Sequence, residues 1–216
     1  MKEEFIYTLD NLWRAKRLIE LSKKIEADEI RNDLLGCGVV FLHATLEEFL
    51  RCIALKQWFL LADESLKIVL KRYPRLNSRN IKVSLLELVD KRPHNIESLI
   101  EEEVRCFLYQ DMNFNSLDEV EKFLDLINIS VKKFAEEKGK EHCDNIESLI
   151  RKRHLVAHQA NCSQLDYEQI LVLGKSLQIF IFYLGNDLGL NVEFNEQLKS
   201  ISFKPGENAL PVASNP

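Results

Sequence analysis

The first part of the chain carries apolar residues at intervals of three or four positions, a spacing that places them on one face of a helix. This stripe starts at Phe5 and predicts a long amphipathic helix from Lys2 to about Leu35. Because glycine is unfavourable in a helix interior, we expect Gly36 and Gly38 to break the helix. The sequence thus predicts one long helix that ends at two glycines.

A second apolar stripe follows these glycines and predicts another long helix from Val39 toward Leu61. We expect the two long helices to pack antiparallel as a hairpin. The helical pattern then weakens around Tyr73 and Pro74, because the residue before a proline is disfavoured in helical geometry. This predicts a connection between residues 63 and 80.

The middle of the chain contains shorter helical patterns, at residues 81–90, 96–109 and 117–127. The last of them begins with Ser116 and Glu119, which have the spacing of a capping box. We predict that residues 62–140 form a helical insertion that caps the bundle.

The last strong pattern runs from Leu165 to Leu184 and is apolar nearly all round. A helix of this kind is expected to be buried or to lie at a dimer interface. Residues 192–194 and 200–203 then alternate in polarity, which predicts a small hairpin within a C-terminal extension over residues 187–203. Residues 204–216 are predicted to form a flexible tail.

Composition supports an all-α protein of globular type, with 46% hydrophobic and 29% charged residues and only seven glycines and five prolines. The five cysteines show no CxxC spacing, and the chain does not start with a secretory leader. No uncharged apolar run reaches the roughly 20 residues of a membrane span. We therefore expect a cytoplasmic protein without a membrane contact.

Candidate chemistry concentrates in residues 151–158, where three cations and two imidazoles stand in an otherwise acidic chain of net charge −5. They are Arg151, Lys152, Arg153, His154 and His158. Arginine offers a permanent charge and a planar fork for phosphate, and histidine exchanges protons near neutral pH. This combination suits phosphodiester cleavage. The net charge disfavours a protein that coats nucleic acid, so any RNA contact must be local.

The cluster is predicted to lie near the C-terminal end of a helix. Asp144 and Glu147 have capping-box spacing at its start, and the polar residues 159–163 predict its end. The helix dipole alone favours cations at such an end, which is the simplest explanation of the cluster. In an unbroken helix Arg153 and His158 would stand about 140° apart, so joint action requires a break or a partner molecule.

A zinc site is the alternative for the two histidines, because His154 and His158 are four positions apart and would share a helix face. No third ligand stands at a recognisable spacing. We therefore predict neither a metal nor a cofactor.

Arg153, His154 and His158 together resemble the signature of the HEPN superfamily of helical RNases, in which an arginine and a polar residue precede a histidine by fixed steps. Residues 41–51 look like the long second helix of HEPN domains related to the RiboL-PSP and MAE-type branches. The resemblance covers most of residues 1–186 and implies an all-α, HEPN-like helical bundle.

The resemblance also implies an activity, namely metal-independent RNA cleavage at a composite site shared by the two protomers of a homodimer. His158 would be the general base on the ribose 2′-hydroxyl, and Arg153 would hold the scissile phosphate. The products would be a 2′,3′-cyclic phosphate and a 5′-hydroxyl. RNA is the expected substrate because the nucleophile is the 2′-hydroxyl itself.

The other candidate residues have supporting roles. His154 is expected to orient the phosphate or share the proton transfer, and Arg151 and Lys152 to attract RNA. Glu47 or Glu48 is a candidate to orient an imidazole from the neighbouring helix, although a solvated helix face is the simpler interpretation of both. His43 and His142 receive no role.

Two classes of function remain open from the sequence. The first is an endoribonuclease of the toxin or antiviral-defence type, held in check by an antitoxin or another partner protein. The second is a non-catalytic HEPN-like module that binds RNA, a nucleotide or a protein partner. A metal-dependent hydrolase is a distant third.

Overall fold

A computed structural model describes residues 1–57, 104–110, 112–163, 165–190, 192–195 and 200–203. Its elements are α1 (Lys2–Ser22), α2 (Asp28–Gln57), a helical stretch at residues 104–110, α3 (Leu117–Leu124) with a 3₁₀ turn (Asp125–Ile127), α4 (Val131–Lys138), α5 (Lys140–Gln159), α6 (Tyr167–Asp187), β1 (Val192–Asn195) and β2 (Ser200–Phe203). The fold is an all-α bundle with a short C-terminal hairpin, as predicted.

The first predicted helix is in fact two helices, because the chain breaks after Ser22 and not at the glycines. The guanidinium of Arg31 holds this break: its Nε and Nη2 donate to the carbonyl of Ile25 at 3.1 and 3.0 Å. Nη2 also donates to the carbonyl of Glu26. These carbonyls at the turn are therefore satisfied by a polar side chain from the next helix, an arrangement that apolar spacing does not reveal.

Gly36 and Gly38 lie inside α2 and allow close packing, so the prediction that they break the helix is wrong. A Cβ at Gly38 would lie 2.6 Å from Ile19 Cγ1 of α1. A Cβ at Gly36 would lie 2.6 Å from Cys162 Sγ, just beyond the end of α5. The glycines are needed because α1 and the end of α5 approach the α2 backbone too closely for any side chain.

The long helices form the centre of the bundle, with α2 packed against α1, α5 and α6. Phe5 of α1 contacts Phe49 and Phe182 edge to face, with ring centroids 5.8 and 5.7 Å apart. Phe134 of α4 packs in the same way on Phe180 of α6, at 4.9 Å. Buried aromatic rings thus tie α1, α2, α4 and α6 into one core, and the prediction of a buried closing helix is confirmed.

The part of the predicted insertion that the structure describes adds to this core. Residues 104–110 are helical, in agreement with the prediction for 96–109 where the two overlap. One half of the predicted capping box forms, since the Ser116 hydroxyl accepts from the backbone N–H of Glu119 at 3.2 Å. The Glu119 carboxylate accepts from the N–H of Asn115, one position before the cap, at 2.7 Å. Phe114 and Phe123 are buried against each other at 5.3 Å. The predicted connection at 63–80 and the helix at 81–90 lie outside the described residues.

The start of α5 differs from its prediction. The helix begins at Lys140 after Gly139, whose φ of 108° is accessible mainly to glycine, so Asp144 lies inside the helix and does not cap it. At the start of α5, Gly139 thus takes the place of the expected capping side chain. Helix α6, in contrast, has a side-chain cap, because Asp166 Oδ1 accepts from the N–H of Gln169 at 2.8 Å.

The predicted hairpin is confirmed by the antiparallel pairing of β1 and β2, in the register Val192 to Phe203. Asn186 at the end of α6 anchors the hairpin, because its Oδ1 accepts from the N–H of Val192 at 2.6 Å. The predicted tail at 204–216 lies outside the described residues. Of the helices that the structure describes, none is long and apolar enough to cross a membrane.

Candidate functional site at the end of helix α5

Helix α5 carries the whole cationic cluster and continues without a break to Gln159. Ala160 then adopts a left-handed conformation with φ 49°, and its N–H donates to the carbonyl of Val156 at 3.1 Å. Because the helix is unbroken, Arg153 and His158 stand about 140° apart around its axis. A break in the helix is therefore excluded, and joint action of Arg153 and His158 would require a partner molecule.

Arg153 is half-buried and makes no hydrogen bond or ion pair within the described residues. Its charge nevertheless lies close enough to α2 to help lower the pKa of the buried His43 imidazole. A half-buried guanidinium without a carboxylate partner retains its hydrogen-bonding capacity for an anion. Arg153 is therefore suited to hold a phosphate.

His154 and His158 are exposed and stacked, with ring centroids 4.5 Å apart and a tilt of 48°. The expectation that they share a helix face is confirmed. No group of three or more metal-ligating side chains occurs in the part of the chain that the structure describes, so no third ligand joins this pair there. Both imidazoles face solvent, where a substrate can reach them.

The two candidate RNA-binding residues differ in their surroundings. Arg151 is exposed, and its Nε donates to Glu147 Oε1 at 2.9 Å. The other oxygen of Glu147 accepts from the backbone N–H of Leu117 at 2.7 Å, which fixes the carboxylate. Lys152 is half-buried without an ion pair among the described residues. Arg151 is thus paired with a carboxylate, whereas Lys152 has no such partner among the described residues.

The apolar stripe that was predicted to include Leu155 ends earlier, at Ile150. Leu155 is 40% exposed and Val156 is half-buried. The last turns of α5 therefore project beyond the core, and their exposed surface is both apolar and cationic.

A row of polar side chains lies on α2, at positions 43, 47 and 51, and we call His43, Glu47 and Arg51 the polar row. Glu47 Oε2 lies 3.9 Å from His43 Nδ1 and 3.6 Å from Arg51 Nη2. Glu47 is only 8% exposed, so the interpretation of this residue as part of a solvated face is wrong. The residues share a face because each stands four positions from the next.

The polar row binds backbone carbonyls at residues 108, 112 and 114 to α2. His43 Nε2 donates to the carbonyl of Phe114 at 3.1 Å, since a carbonyl can only accept. Arg51 donates to the carbonyls of Leu108 and Met112 at 2.9 and 3.2 Å. Sequence reasoning missed His43, although a four-residue polar spacing on an otherwise apolar helix could have identified it.

Burial lowers the pKa of His43 below its ordinary value, and the charges of Arg153 and Arg51 act in the same direction. The Glu47 carboxylate and the Phe114 carbonyl oppose this shift. His43 is therefore held as a neutral imidazole that donates from Nε2. This inward-facing role differs from that of the exposed histidines of α5.

Glu48 is half-buried and accepts a hydrogen bond from the Tyr109 hydroxyl at 2.7 Å. Burial, followed by this hydrogen bond, raises the pKa of Tyr109 above its ordinary range. Neither Glu47 nor Glu48 contacts His154 or His158 within the described residues. Glu48 instead binds the Tyr109 hydroxyl, and Glu47 Oε1 accepts from the backbone N–H of Phe114 at 3.5 Å.

A family model described as RiboL-PSP-HEPN matches residues 9–188 of the chain. The matched part contains the polar row, all of α5 and all of α6. No curated protein and no solved structure matches the chain.

Proposed function

The chain belongs to the RiboL-PSP-HEPN family, whose membership indicates an RNase or RNA-related function, and from that premise we propose that it is a metal-independent endoribonuclease. One observation carries the proposal. Arg153, which has no carboxylate partner among the described residues, precedes the solvent-facing His158 by five positions on the helix that the family model covers. A free guanidinium and an accessible imidazole are the two groups that cleavage through a 2′-hydroxyl needs.

In this mechanism His158 takes the proton of the ribose 2′-hydroxyl while that oxygen attacks the adjacent phosphorus. The bond from phosphorus to the 5′-oxygen breaks, and this oxygen takes up a proton from an imidazolium at the site or from water. The products carry a 2′,3′-cyclic phosphate and a 5′-hydroxyl. Arg153 binds the phosphate oxygens and offsets the charge that builds on them. His154 stacks on His158 and is placed to orient it or to share the proton transfer.

The active site requires a second copy of the chain, because one continuous helix directs Arg153 and His158 about 140° apart. A two-fold axis beside α5 would place Arg153 of one protomer opposite His158 of the other. Lys152 of each copy would add positive charge to the shared site, and Arg151 would contribute less because Glu147 holds it.

We propose that exposed apolar residues of α2 provide the surface for this second copy. Five residues of α2 follow one another at alternating steps of four and three positions. We call them the outer stripe: Ile30, Leu34, Cys37, Phe41 and Ala44. Ile30 and Phe41 are 55% and 45% exposed. This spacing is the one that packs two helices side by side. The stripe lies on the helix that contacts α5, so a copy bound there would stand near the motif.

We assign the enzyme to the toxin or antiviral-defence type, acting in the cytoplasm under the control of an antitoxin or a defence-system partner. The resemblance of the motif to HEPN RNases supports this assignment. No metal and no cofactor takes part in the proposed chemistry.

The function is tested by incubating purified protein with total RNA and with tRNA in EDTA and mapping the product ends. We expect 2′,3′-cyclic phosphate ends, and we expect Arg153→Ala and His158→Ala each to slow cleavage by about 10²-fold or more. Arg151→Ala is the matched control, because this exposed arginine already pairs with Glu147 and should lower the rate only a few-fold, by about 1 kcal/mol or less. Cleavage that survives in both motif variants would refute the mechanism.

A non-catalytic module is the second candidate, and one observation favours it: in a single chain the two motif residues lie on different faces of α5. Such a module would bind RNA, a nucleotide or a protein without cleaving it. A wild-type protein that binds RNA through Arg153 but leaves every RNA intact would support this function over the first.

A further inference from the structure

Two of the five cysteines lie where α2 meets the end of α5. Cys37 stands on α2 as the third residue of the outer stripe, and Cys162 lies three positions beyond Gln159, the last residue of α5. All five cysteines are free thiols, and Cys37 is the exposed one, whereas the others are half-buried or buried. Cys37 is therefore the thiol that a reagent in solution reaches first.

Cys162 packs against α2 one position away from Cys37. Its Sγ lies 2.6 Å and its Cβ 3.7 Å from the place that a Cβ at Gly36 would occupy. Because Gly36 has no side chain, the Cys162 side chain can lie directly on the α2 backbone. The Cα of Cys37 is only about 3.8 Å from that of Gly36, so the two cysteines are near neighbours.

Both thiols lie on the same side of α2. Asp33 and Cys37 share a face because they stand four positions apart. Burial raises the pKa of Cys162, and the nearby charges of Asp33 and Cys37 act in the same direction. Cys162 belongs to residues 160–163 between two helices, where the backbone adjusts more easily than within a helix. A disulfide spans Cα atoms up to about 7 Å apart, which suits neighbours of this kind.

The other cysteines lack this arrangement. Burial, followed by the charge of Glu48, raises the pKa of Cys52 to about 11, so this thiol stays protonated and is a poor nucleophile. Burial also raises the pKa of Cys143. The charges that act on Cys52 and Cys143 belong to carboxylates and an arginine and not to a second thiol. Cys37 and Cys162 are thus the pair that the fold brings together.

We propose that a peroxide converts Cys37 and Cys162 into a disulfide, and that this bond prevents the chain from dimerising through the outer stripe. The effect on dimerisation rests on the proposed function, in which the outer stripe binds a second copy. Disulfides of cytoplasmic proteins are usually transient and serve in redox sensing or catalysis. The reduced chain is then the active form and the oxidised chain the inactive form.

The oxidation consumes one molecule of hydrogen peroxide and takes place in two steps. The Cys37 thiolate attacks the peroxide, the O–O bond breaks, and Cys37 becomes a sulfenic acid while the first water leaves. The Cys162 thiolate then attacks Cys37 Sγ, so the S–S bond forms, the S–O bond breaks and the oxygen leaves as the second water. The two sulfurs lose two electrons, which the peroxide oxygens gain, and the two thiol protons complete the waters.

The bond would alter the dimer surface and the end of α5 at the same time. It turns Cys37 Sγ away from a second copy and toward Cys162. It also ties residues 160–163 to α2 beside the outer stripe, where a second copy would have to pack. Dimerisation would cover Cys37, so oxidation acts on the free chain and competes with dimer formation.

The first test identifies the bond without any use of RNA. The reduced full chain is treated with hydrogen peroxide, the remaining thiols are alkylated, and the peptides are mapped by mass spectrometry without reductant. We expect a peptide pair that joins Cys37 to Cys162, lighter by two hydrogen atoms than its two parts and separated by dithiothreitol. Cys37→Ser and Cys162→Ser should each lose this pair. Cys106→Ser is the matched control at a half-buried cysteine outside the pair and should keep it.

The second test measures dimerisation by analytical ultracentrifugation before and after peroxide. We expect oxidation to weaken the wild-type dimer by about tenfold or more, since single contacts at the centre of an interface contribute that much. Dithiothreitol should restore the dimer, and RNA cleavage should fall and recover in parallel. Cys37→Ser should dimerise equally well with and without peroxide.

Three results would overturn the proposal. They are the absence of a Cys37–Cys162 link after oxidation, a link between the Cys37 residues of two copies in its place, and a linked chain that dimerises as the reduced chain does. A reduced chain that stays monomeric would overturn it together with the shared catalytic site. A reduced chain that dimerises but cuts no RNA would refute the proposed ribonuclease alone, because the bond and the oligomeric state are measured without RNA.

Discussion

Arg153 belongs to the cationic cluster of α5 and also acts on a buried side chain of α2. It is half-buried, it has no ion-pair partner within the described residues, and its charge acts on His43 of α2. The guanidinium is therefore near enough to act on a buried imidazole and is also partly open to solvent. Arg153 is thus able to meet a phosphate, while the polar row holds the backbone at residues 108, 112 and 114.

The stability of the protein should depend on pH through His43. Its pKa in the folded protein is lowered, so on acidification the unfolded chain takes up the proton first. The stability that the neutral imidazole provides is fully present above about pH 6.5 and is lost as pH falls toward the folded-state pKa. We expect the melting temperature to drop between pH 7 and pH 5, and His43→Gln to reduce that drop.

The control for this measurement is His154→Gln, which changes an exposed histidine and should retain the wild-type acid sensitivity. Thermal melts over the pH series distinguish the two variants. Identical pH profiles for His43→Gln and wild type would show that another group governs acid stability.

At the scale of elements, α2 is the helix that positions the site. Its glycines admit α1 on one side and the end of α5 on another, and its outer stripe stays exposed. A Cβ at Gly36 of α2 would lie 2.6 Å from Cys162 Sγ and 3.3 Å from Val156 Cγ1. The end of α5 therefore packs against α2 at a position that has room only for glycine.

Substitution by alanine should change the free energy of unfolding in opposite directions at two glycines that both lie inside helices. At Gly38 a Cβ would lie 2.6 Å from Ile19 Cγ1, so Gly38→Ala should destabilise the protein by about 1–3 kcal/mol through overpacking. At Gly174 the nearest atoms, in Leu42, would lie at 3.6 Å, so Gly174→Ala should stabilise it by up to about 1 kcal/mol. Urea unfolding measures both, and a stabilised Gly38→Ala would contradict the packing described for α1 and α2.

The same helices show what the sequence could and could not predict. The periodic stripes predicted two long N-terminal helices, although with the break between them in the wrong place, and they also predicted α6 and the hairpin. The cluster at 151–158 was placed correctly near a helix end. The break after Ser22 was missed because Arg31 stabilises it by hydrogen bonds across the turn. Gly36 lies inside a helix because the side chains of Cys162 and Val156 leave no room for a Cβ there. The buried Glu47 accepts from the N–H of Phe114, 67 positions away, a contact that local patterns do not record.

For the whole molecule, the account requires a homodimer. The outer stripe of α2 is apolar, exposed and spaced for helix packing. In the proposed mechanism one chain cannot complete the site, because Arg153 and His158 face apart on a continuous helix. A two-fold pair would bury the stripe and complete the motif at the same time.

Phe41→Glu should therefore convert a dimer into a monomer and abolish RNA cleavage, because a charge within the outer stripe opposes burial there. Analytical ultracentrifugation measures the change. Ile6→Glu is the matched control, since Ile6 is 43% exposed but lies on α1 and away from the stripe, and this variant should stay dimeric and active. A monomeric Phe41→Glu that cleaves RNA at the wild-type rate would contradict the shared site.

The most direct measurement of the central claim mixes two inactive proteins. Arg153→Ala and His158→Ala are combined in equal amounts, allowed to exchange subunits, and assayed for RNA cleavage in EDTA. If each site takes Arg153 from one protomer and His158 from the other, half of the dimers regain one of two sites, so activity should return to roughly one quarter of wild type. A mixture that stays as inactive as its components, although exchange has produced mixed dimers, would show that the two residues do not act across a dimer interface.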